Sequence, residues 1–209
     1  MAADVRVKIC GITNRADACA AIDAGAAALG FNFCRSSPRY VTPEVAAEIV
    51  ALLPRAVPRA VCTVGVFVNE PRERVAAIAQ QVGLTALQFH GDESPDFCCG
   101  WTQKVVRAIR VCDGHAAAKA QRYTVDFILA DAYVEGQRGG TGRRIVPILL
   151  EGFERRHLIL AGGLTPENVA EAVRTVRPFA VDVASGVERA PGQKDVTLMR
   201  RFIAHAHTS

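Results

Sequence analysis

Two ionisable side chains end apolar runs of this chain. Cys10 closes Val5-Arg6-Val7-Lys8-Ile9-Cys10, and Asp131 closes the run over 125–131. Either side chain can give or take a proton. Facing each other across a small pocket, the two suit acid–base chemistry on one substrate. Each also has a plainer reading: Cys10 as a core thiol, Asp131 as a turn or cap residue. Arg39, in Ser36-Ser37-Pro38-Arg39-Tyr40, carries a planar guanidinium that can hold a carboxylate by two parallel bonds, or is simply a solvated loop residue. Two glycine turns could cradle a phosphate. One is Gly162-Gly163, followed by Thr165-Pro166-Glu167-Asn168; the other is Ser185-Gly186. Glycines expose backbone N–H groups, and a following helix start adds positive potential. A third cluster, Gly139-Gly140-Thr141-Gly142, follows the polar stretch 132–138 and is a candidate lid or a surface loop. Gln88 and His90 share a strand face. His90 is a candidate ligand or base, with a structural hydrogen bond as the alternative, and is given no catalytic role. Asn14 is read as a helix cap.

Such residues need a scaffold that brings strand ends to one rim. The apolar pattern alternates between short and long periods along the whole chain. Short runs rich in Val, Ile, Leu and Phe lie near 5–10, 28–33, 61–68, 85–90, 104–110, 125–131, 157–161 and 179–184. Between them, helical stretches lie near 14–25, 43–53, 71–82, 94–100, 114–122, 145–154, 166–176 and 194–206. Thr42-Pro43, Glu70-Pro71 and Thr165-Pro166-Glu167 supply start signals, and Gly25 and Gly83 supply stops. Eight repeats of about 26 residues predict an α/β fold, a (β/α)8 TIM barrel forming one domain over 1–209. An open doubly wound sheet fits the alternation but not the count.

Strand parity adds a prediction. In the first run Val5, Val7 and Ile9 share one face, and Arg6, Lys8 and Cys10 the other. With the aliphatic face under the helices, Lys8 and Cys10 point into the barrel, and Cys10 reaches the C-terminal rim where barrel active sites lie. A lysine inside a barrel needs a partner. Closure makes the eighth strand the neighbour of the first, and the eighth carries Asp182. A Lys8–Asp182 pair is therefore expected; the alternative is a rotated first strand with Lys8 in solvent. Lys8 is also expected to lower the pKa of Cys10.

Composition narrows the function classes. Of 209 residues, 50% are hydrophobic and 22% charged, which fits a globular core and not a disordered chain. The net charge of +4 is spread out, with pairs such as Arg143-Arg144 but no basic run, so a nucleic-acid partner is not expected. No membrane span or secretory signal is visible. Seven cysteines without metal-ligand spacing fit reduced thiols of a cytoplasmic protein, with no metal site. One complete barrel buries its own core, so a monomer is expected over a homodimer.

The motifs together resemble one family. VKICGIT (7–13), GFNF with SPRYV (30–41), GVFVNE (65–70), LQFHGDE (87–93), GGTG (139–142), LAGGLTPENV (160–169) and RPFAVDVASGVE with PGQKD (177–195) match, in order, the phosphoribosylanthranilate isomerases. These are (β/α)8 barrels of tryptophan biosynthesis. The resemblance implies an Amadori rearrangement of N-(5-phosphoribosyl)anthranilate to 1-(2-carboxyphenylamino)-1-deoxyribulose 5-phosphate, without metal or organic cofactor. It implies Cys10 as general base, Asp131 as general acid and Arg39 as partner of the anthranilate carboxylate. It places the phosphate on Gly162, Gly163, Ser185 and Gly186, with Gly140 or Thr141 closing over the substrate. The chain departs from the family after GGTG, where Arg143-Arg144-Ile145-Val146-Pro147 replaces the usual aromatic and Asp-Trp. It also has Ala184-Ser185 where two serines are usual, losing a hydroxyl but keeping the turn. Two other readings remain at this stage. One is a related barrel that also accepts a non-aromatic phosphoribosyl substrate; the other is a non-catalytic barrel kept as a scaffold.

Overall fold

The computed structural model describes residues 5–53, 61–131 and 150–208. The short-period runs become β1 (Arg6–Cys10), β2 (Ala28–Asn32), β3 (Cys62–Phe67), β4 (Ala86–Phe89), β5 (Lys104–Arg110), β6 (Phe127–Asp131), β7 (Leu158–Ala161) and β8 (Ala180–Val183). All pair in parallel with their sequence neighbours, and β8 closes on β1, giving a (β/α)8 barrel. A small antiparallel hairpin, β9 (Glu188–Ala190) with β10 (Gln193–Lys194), follows β8.

Helices α1 (Arg15–Asp23), α2 (Pro43–Ala51), α3 (Arg72–Val82), α4 (Ala116–Ala120), α5 (Val169–Val176) and α6 (Val196–His207) lie between or after the strands. Their ends follow local chemistry. Asn14 Oδ1 accepts from Asp17 N at 2.9 Å, and Thr42 Oγ1 accepts from Val45 N at 3.3 Å ahead of Pro43. Asp195 caps α6, and Gly83 ends α3 at φ 73°, a left-handed conformation that glycine adopts without cost. None of the described helices is long and apolar enough to cross a membrane.

Two expected helices differ. Residues 94–100 form turns and not a helix. Gly100 stops the turn at φ 73°, and the Arg72 guanidinium donates to the carbonyls of Phe97, Cys99 and Gly100, which a longer helix would have used. α5 starts at Val169, later than Pro166 suggested, because Asn168 Oδ1 turns back to accept from Thr165 N at 2.8 Å. The expected helix over 145–154 falls mostly outside the described residues.

The main core lies between barrel and helices, with Ile9, Leu29, Phe31, Phe67, Leu87 and Phe89 fully buried. The barrel interior divides by chemistry. Val106, Ala108, Leu129, Ile159, Ala161 and Ala180 form an apolar cluster across β5 to β8. Toward β1 the interior turns polar, with Lys8 and Asp182 buried. That polar sector opens on the rim that carries Cys10.

Candidate active site

The strand parity holds. Lys8 lies opposite Asp182 in the β1–β8 register, and Lys8 Nζ donates to Asp182 Oδ1 at 2.8 Å. Two such charges inside a barrel need each other, since either alone would be an uncompensated buried ion. Cys10 stands one pleat above Lys8. Gly30 on β2 leaves room for the thiol: a β-carbon there would come within 2.8 Å of Cys10 Sγ and 3.1 Å of Lys8 Cε. The glycine of the GFNF segment therefore keeps space for the thiol.

The expected activation of Cys10 by Lys8 is only part of the balance. Burial pushes the Cys10 thiol up, and Lys8 pulls it down by charge and hydrogen bond. Asp182 adds to the upward push and Lys194 to the downward pull, and the net pKa is raised. Desolvation outweighs the lysine because a thiolate loses more hydration here than one cation, itself tied to Asp182, restores. On Lys8, burial works against the ammonium, but Asp182 and Cys10 reverse it and raise its pKa.

Asp131 ends β6 on the same rim, three strands round from β1. His90 Nε2 lies 3.6 Å from Asp131 Oδ2, and His90 Nδ1 lies 3.2 Å from Gln88 Nε2. With the Gln88 amide donating to Nδ1, the neutral ring carries its proton on Nε2 and points it toward Asp131. Sequence reasoning left His90 as a candidate ligand or base, or a structural hydrogen bond, and assigned it no catalysis. Its shared parity with Gln88 was the available signal; the register that lays it beside Asp131 was not.

Arg39 lies across the turn after β1. A β-carbon on Gly11, which has φ +79°, would meet Arg39 Cδ at 2.6 Å. The loop that presents Arg39 is held by Asn32, whose Oδ1 accepts from Cys34 N at 2.9 Å and whose Nδ2 donates to Ser37 Oγ at 3.1 Å. Ser37 Oγ in turn accepts from Arg39 N at 3.1 Å. The guanidinium is already engaged within the chain: Nε and Nη2 donate to the Glu188 carboxylate at 2.9 and 2.7 Å. Nη1 takes no part in that pairing. Sequence reasoning missed Glu188 and Lys194, which lie at the ends of the hairpin. Burial works against the Glu188 carboxylate, but bonds from Arg39 and Lys194 hold it below the usual glutamate range.

The two glycine turns are adjacent. Gly162 and Gly163 follow β7 with φ of 91° and 64°. Ser185–Val187 forms a single 3-10 turn after β8. A β-carbon on Gly186 would come within 1.9 Å of Leu164 O, so only glycine lets the two turns pack. Asn168 Nδ2 donates to Gly163 O at 3.0 Å and braces the first turn. Closure of β8 on β1 sets this pair of turns next to Cys10. Gly140 and Thr141 lie outside the described residues, as does the departing segment 143–147.

Comparison with known proteins bears on the chemistry. The family model for N-(5'-phosphoribosyl)anthranilate (PRA) isomerase matches residues 7–205. The N-(5'-phosphoribosyl)anthranilate isomerase of Geobacter sulfurreducens is 49% identical over 205 residues, covering 97% of this chain and 98% of its own. That of Pelobacter propionicus is 47% identical over 200 residues, covering 95% and 94%. Among solved structures, phosphoribosyl anthranilate isomerase from Thermotoga maritima superposes with a TM-score of 0.87 at 40% identity, covering 98% of this chain and all of its own. A complex of phosphoribosyl anthranilate isomerase with reduced 1-(o-carboxyphenylamino)-1-deoxyribulose 5-phosphate superposes with a TM-score of 0.83 at 39% identity, again covering 98% of this chain and 100% of its own.

Proposed function

Because the chain belongs to the N-(5'-phosphoribosyl)anthranilate isomerase family, we propose that Cys10 and Asp131 are the base and acid of the family's aldose-to-ketose isomerisation in tryptophan biosynthesis. The observation that carries the assignment is the meeting of β8 with β1. It gathers a thiol, a buried lysine and two glycine turns on one rim, with Asp131 across the mouth.

The substrate is N-(5-phosphoribosyl)anthranilate. Its phosphate is bound by backbone N–H groups of Gly162, Gly163, Ser185 and Gly186. Its carboxylate is received by Arg39. Asp131, protonated, gives its proton to the ribose ring oxygen; the C1–O bond breaks and the anthranilate nitrogen and C1 become a protonated Schiff base. Cys10, in the minor fraction that is thiolate because burial holds its pKa up, takes the proton from C2. The electron pair of the C–H bond forms the C1–C2 double bond of an enolamine, which tautomerises to the ketose. Acid and base need one proton between them. His90 beside Asp131 holds the carboxyl in place. No cofactor is required by this sequence of steps.

Every residue in this scheme comes from one barrel, which favours a monomer as the working unit. The seven cysteines are free thiols, which favours a reducing compartment such as the cytoplasm.

The test follows the fluorescence decay of freshly made N-(5-phosphoribosyl)anthranilate. Wild type consumes it rapidly, and Cys10→Ala and Asp131→Asn each slow turnover by about two orders of magnitude or more. Turnover unaffected by both substitutions refutes the assignment of these residues. No turnover by folded wild type refutes the reading of the site.

A further inference from the structure

Three charged groups converge beside the mouth: Arg39 from the loop after β2, Glu188 at the start of β9 and Lys194 at the end of β10. Glu188 Oε1 accepts from Arg39 Nε at 2.9 Å, from Lys194 Nζ at 2.8 Å and from Gly192 N at 3.3 Å. Its Oε2 accepts from Arg39 Nη2 at 2.7 Å and from Nε at 3.1 Å. The side chains of Lys194 and Glu188 are 0% and 4% exposed, so water does little to screen them. Lys194 Nζ also donates to Ala184 O at 3.1 Å, and its backbone N–H donates to Asp17 Oδ2 at 2.9 Å. Thr13 Oγ1 donates to Gly192 O at 2.6 Å. The hairpin is thus fastened to the turn that follows Cys10.

The charge count gives this cluster its meaning. A bidentate Arg39–Glu188 pair alone would be neutral, and a neutral pair offers little to a second carboxylate. Lys194 makes two cations around one anion, a surplus of one positive charge among these three side chains, and Arg39 Nη1 has no hydrogen-bond partner among the described residues. We propose that Lys194, by offsetting the charge of the buried Glu188, keeps the site selective for an arylamine that bears a carboxylate. Glu188 fixes the plane of Arg39, and Lys194 offsets the charge of Glu188, so Arg39 stays an anion receptor. Lys194 and Glu188 are positioning residues and do not touch substrate. The inference rests on the reading of Arg39 given above.

Two ligands separate this role from mere structural support. One is reduced 1-(2-carboxyphenylamino)-1-deoxyribulose 5-phosphate. The other is the same compound made from aniline, lacking the carboxylate. Their dissociation constants are measured for wild type, Lys194→Met, Glu188→Gln/Lys194→Met and Arg39→Met. Lys194→Met weakens the carboxylated ligand by about tenfold or more, a difference of about 1.4 kcal/mol, and leaves the aniline-derived ligand within about threefold. The double variant restores the surplus charge and recovers most of the lost affinity. Equal weakening of both ligands by Lys194→Met, no weakening, or a double variant no better than the single one overturns the inference. If Lys194→Met does not fold, Lys194→Gln takes its place, since its amide can still donate to Glu188 while the charge is gone. Loss of the preference for the carboxylated ligand supports the inference, and a preference near that of wild type overturns it. Loss of the preference in Arg39→Met with its retention in Lys194→Met sinks this inference alone. Retention in Arg39→Met sinks the reading of Arg39 itself.

Discussion

The Cys10 thiol sits among opposing influences, and their balance is measurable. Burial raises its pKa, while Lys8 is the largest influence lowering it. An ordinary cysteine titrates near 8.5, so titration of Cys10 by thiolate absorbance is expected to show a midpoint above that value. Removing Lys8 alone would strand Asp182, so the informative variant is Lys8→Met with Asp182→Asn. There the midpoint rises further, because the Lys8 contribution exceeds that of Asp182. An unchanged midpoint in the folded double variant would refute a role for Lys8 in setting the thiol. Gly30 makes a second prediction at this scale. A methyl group 2.8 Å from Sγ must move the thiol or the lysine. Gly30→Ala is therefore expected to lower kcat/KM by roughly 10- to 100-fold, as misplacement by an ångström does. Full activity in that variant would show that the thiol has room the geometry denies.

Among the elements, the two turns after β7 and β8 act as one piece. Gly186 packs on the Leu164 carbonyl, with no space for a side chain. Gly186→Ala is expected to push the turns apart and raise KM for the phosphorylated substrate by about tenfold or more, read by steady-state kinetics. The hairpin β9–β10 ties this rim to Arg39 through Glu188, and its effect on stability depends on pH. The Glu188 carboxyl is held below its ordinary value in the folded chain. Its contribution is therefore present above the unfolded glutamate pKa of about 4.3 and lost as pH falls through the lower folded value. Glu188→Gln is expected to lower stability at neutral pH, with the gap to wild type closing below about pH 4. Denaturant melts across pH check this; a gap that widened in acid would contradict it.

Across the whole molecule, β3, β4 and β5 are locked by a further buried ion pair, Arg107–Glu93, on the side of the barrel opposite β1. Arg107 Nη1 donates to Glu93 Oε2 at 3.1 Å and to Phe89 O at 2.8 Å, and Nη2 donates to Gly91 O at 2.8 Å. Glu93 in turn accepts from Asn69 N and Gly91 N at 2.8 and 2.9 Å. Both side chains are 2% exposed. Arg107→Met removes the cation that faces buried Glu93, which is expected to cost about 3–5 kcal/mol in a denaturant melt. A loss under about 1 kcal/mol would show that the network adjusts. This pair holds the loops next to His90, so the rim's precision is shared between distant strands.

Much of this protein was legible in its residues. Periodicity gave eight strands near their observed bounds, because a parallel barrel strand is a short apolar run between turn signals. Parity gave the Lys8–Asp182 pair, since side chains alternate along a strand and closure leaves β8 only one neighbour on that side. The glycine turns carried their own conformational signature. What the sequence could not decide is what depends on distance between remote residues. Arg39 meets Glu188 across 149 positions, and Lys194 meets Glu188 only because a hairpin folds back under the mouth. The sign of the Cys10 shift likewise needed burial as well as the nearby lysine. The failed helix at 94–100 was decided by Arg72, at the start of α3, taking its carbonyls. Local pattern sets the elements because backbone preference and alternation act over a few residues. Pairing, desolvation and charge balance act through space, and only the closed barrel sets those distances.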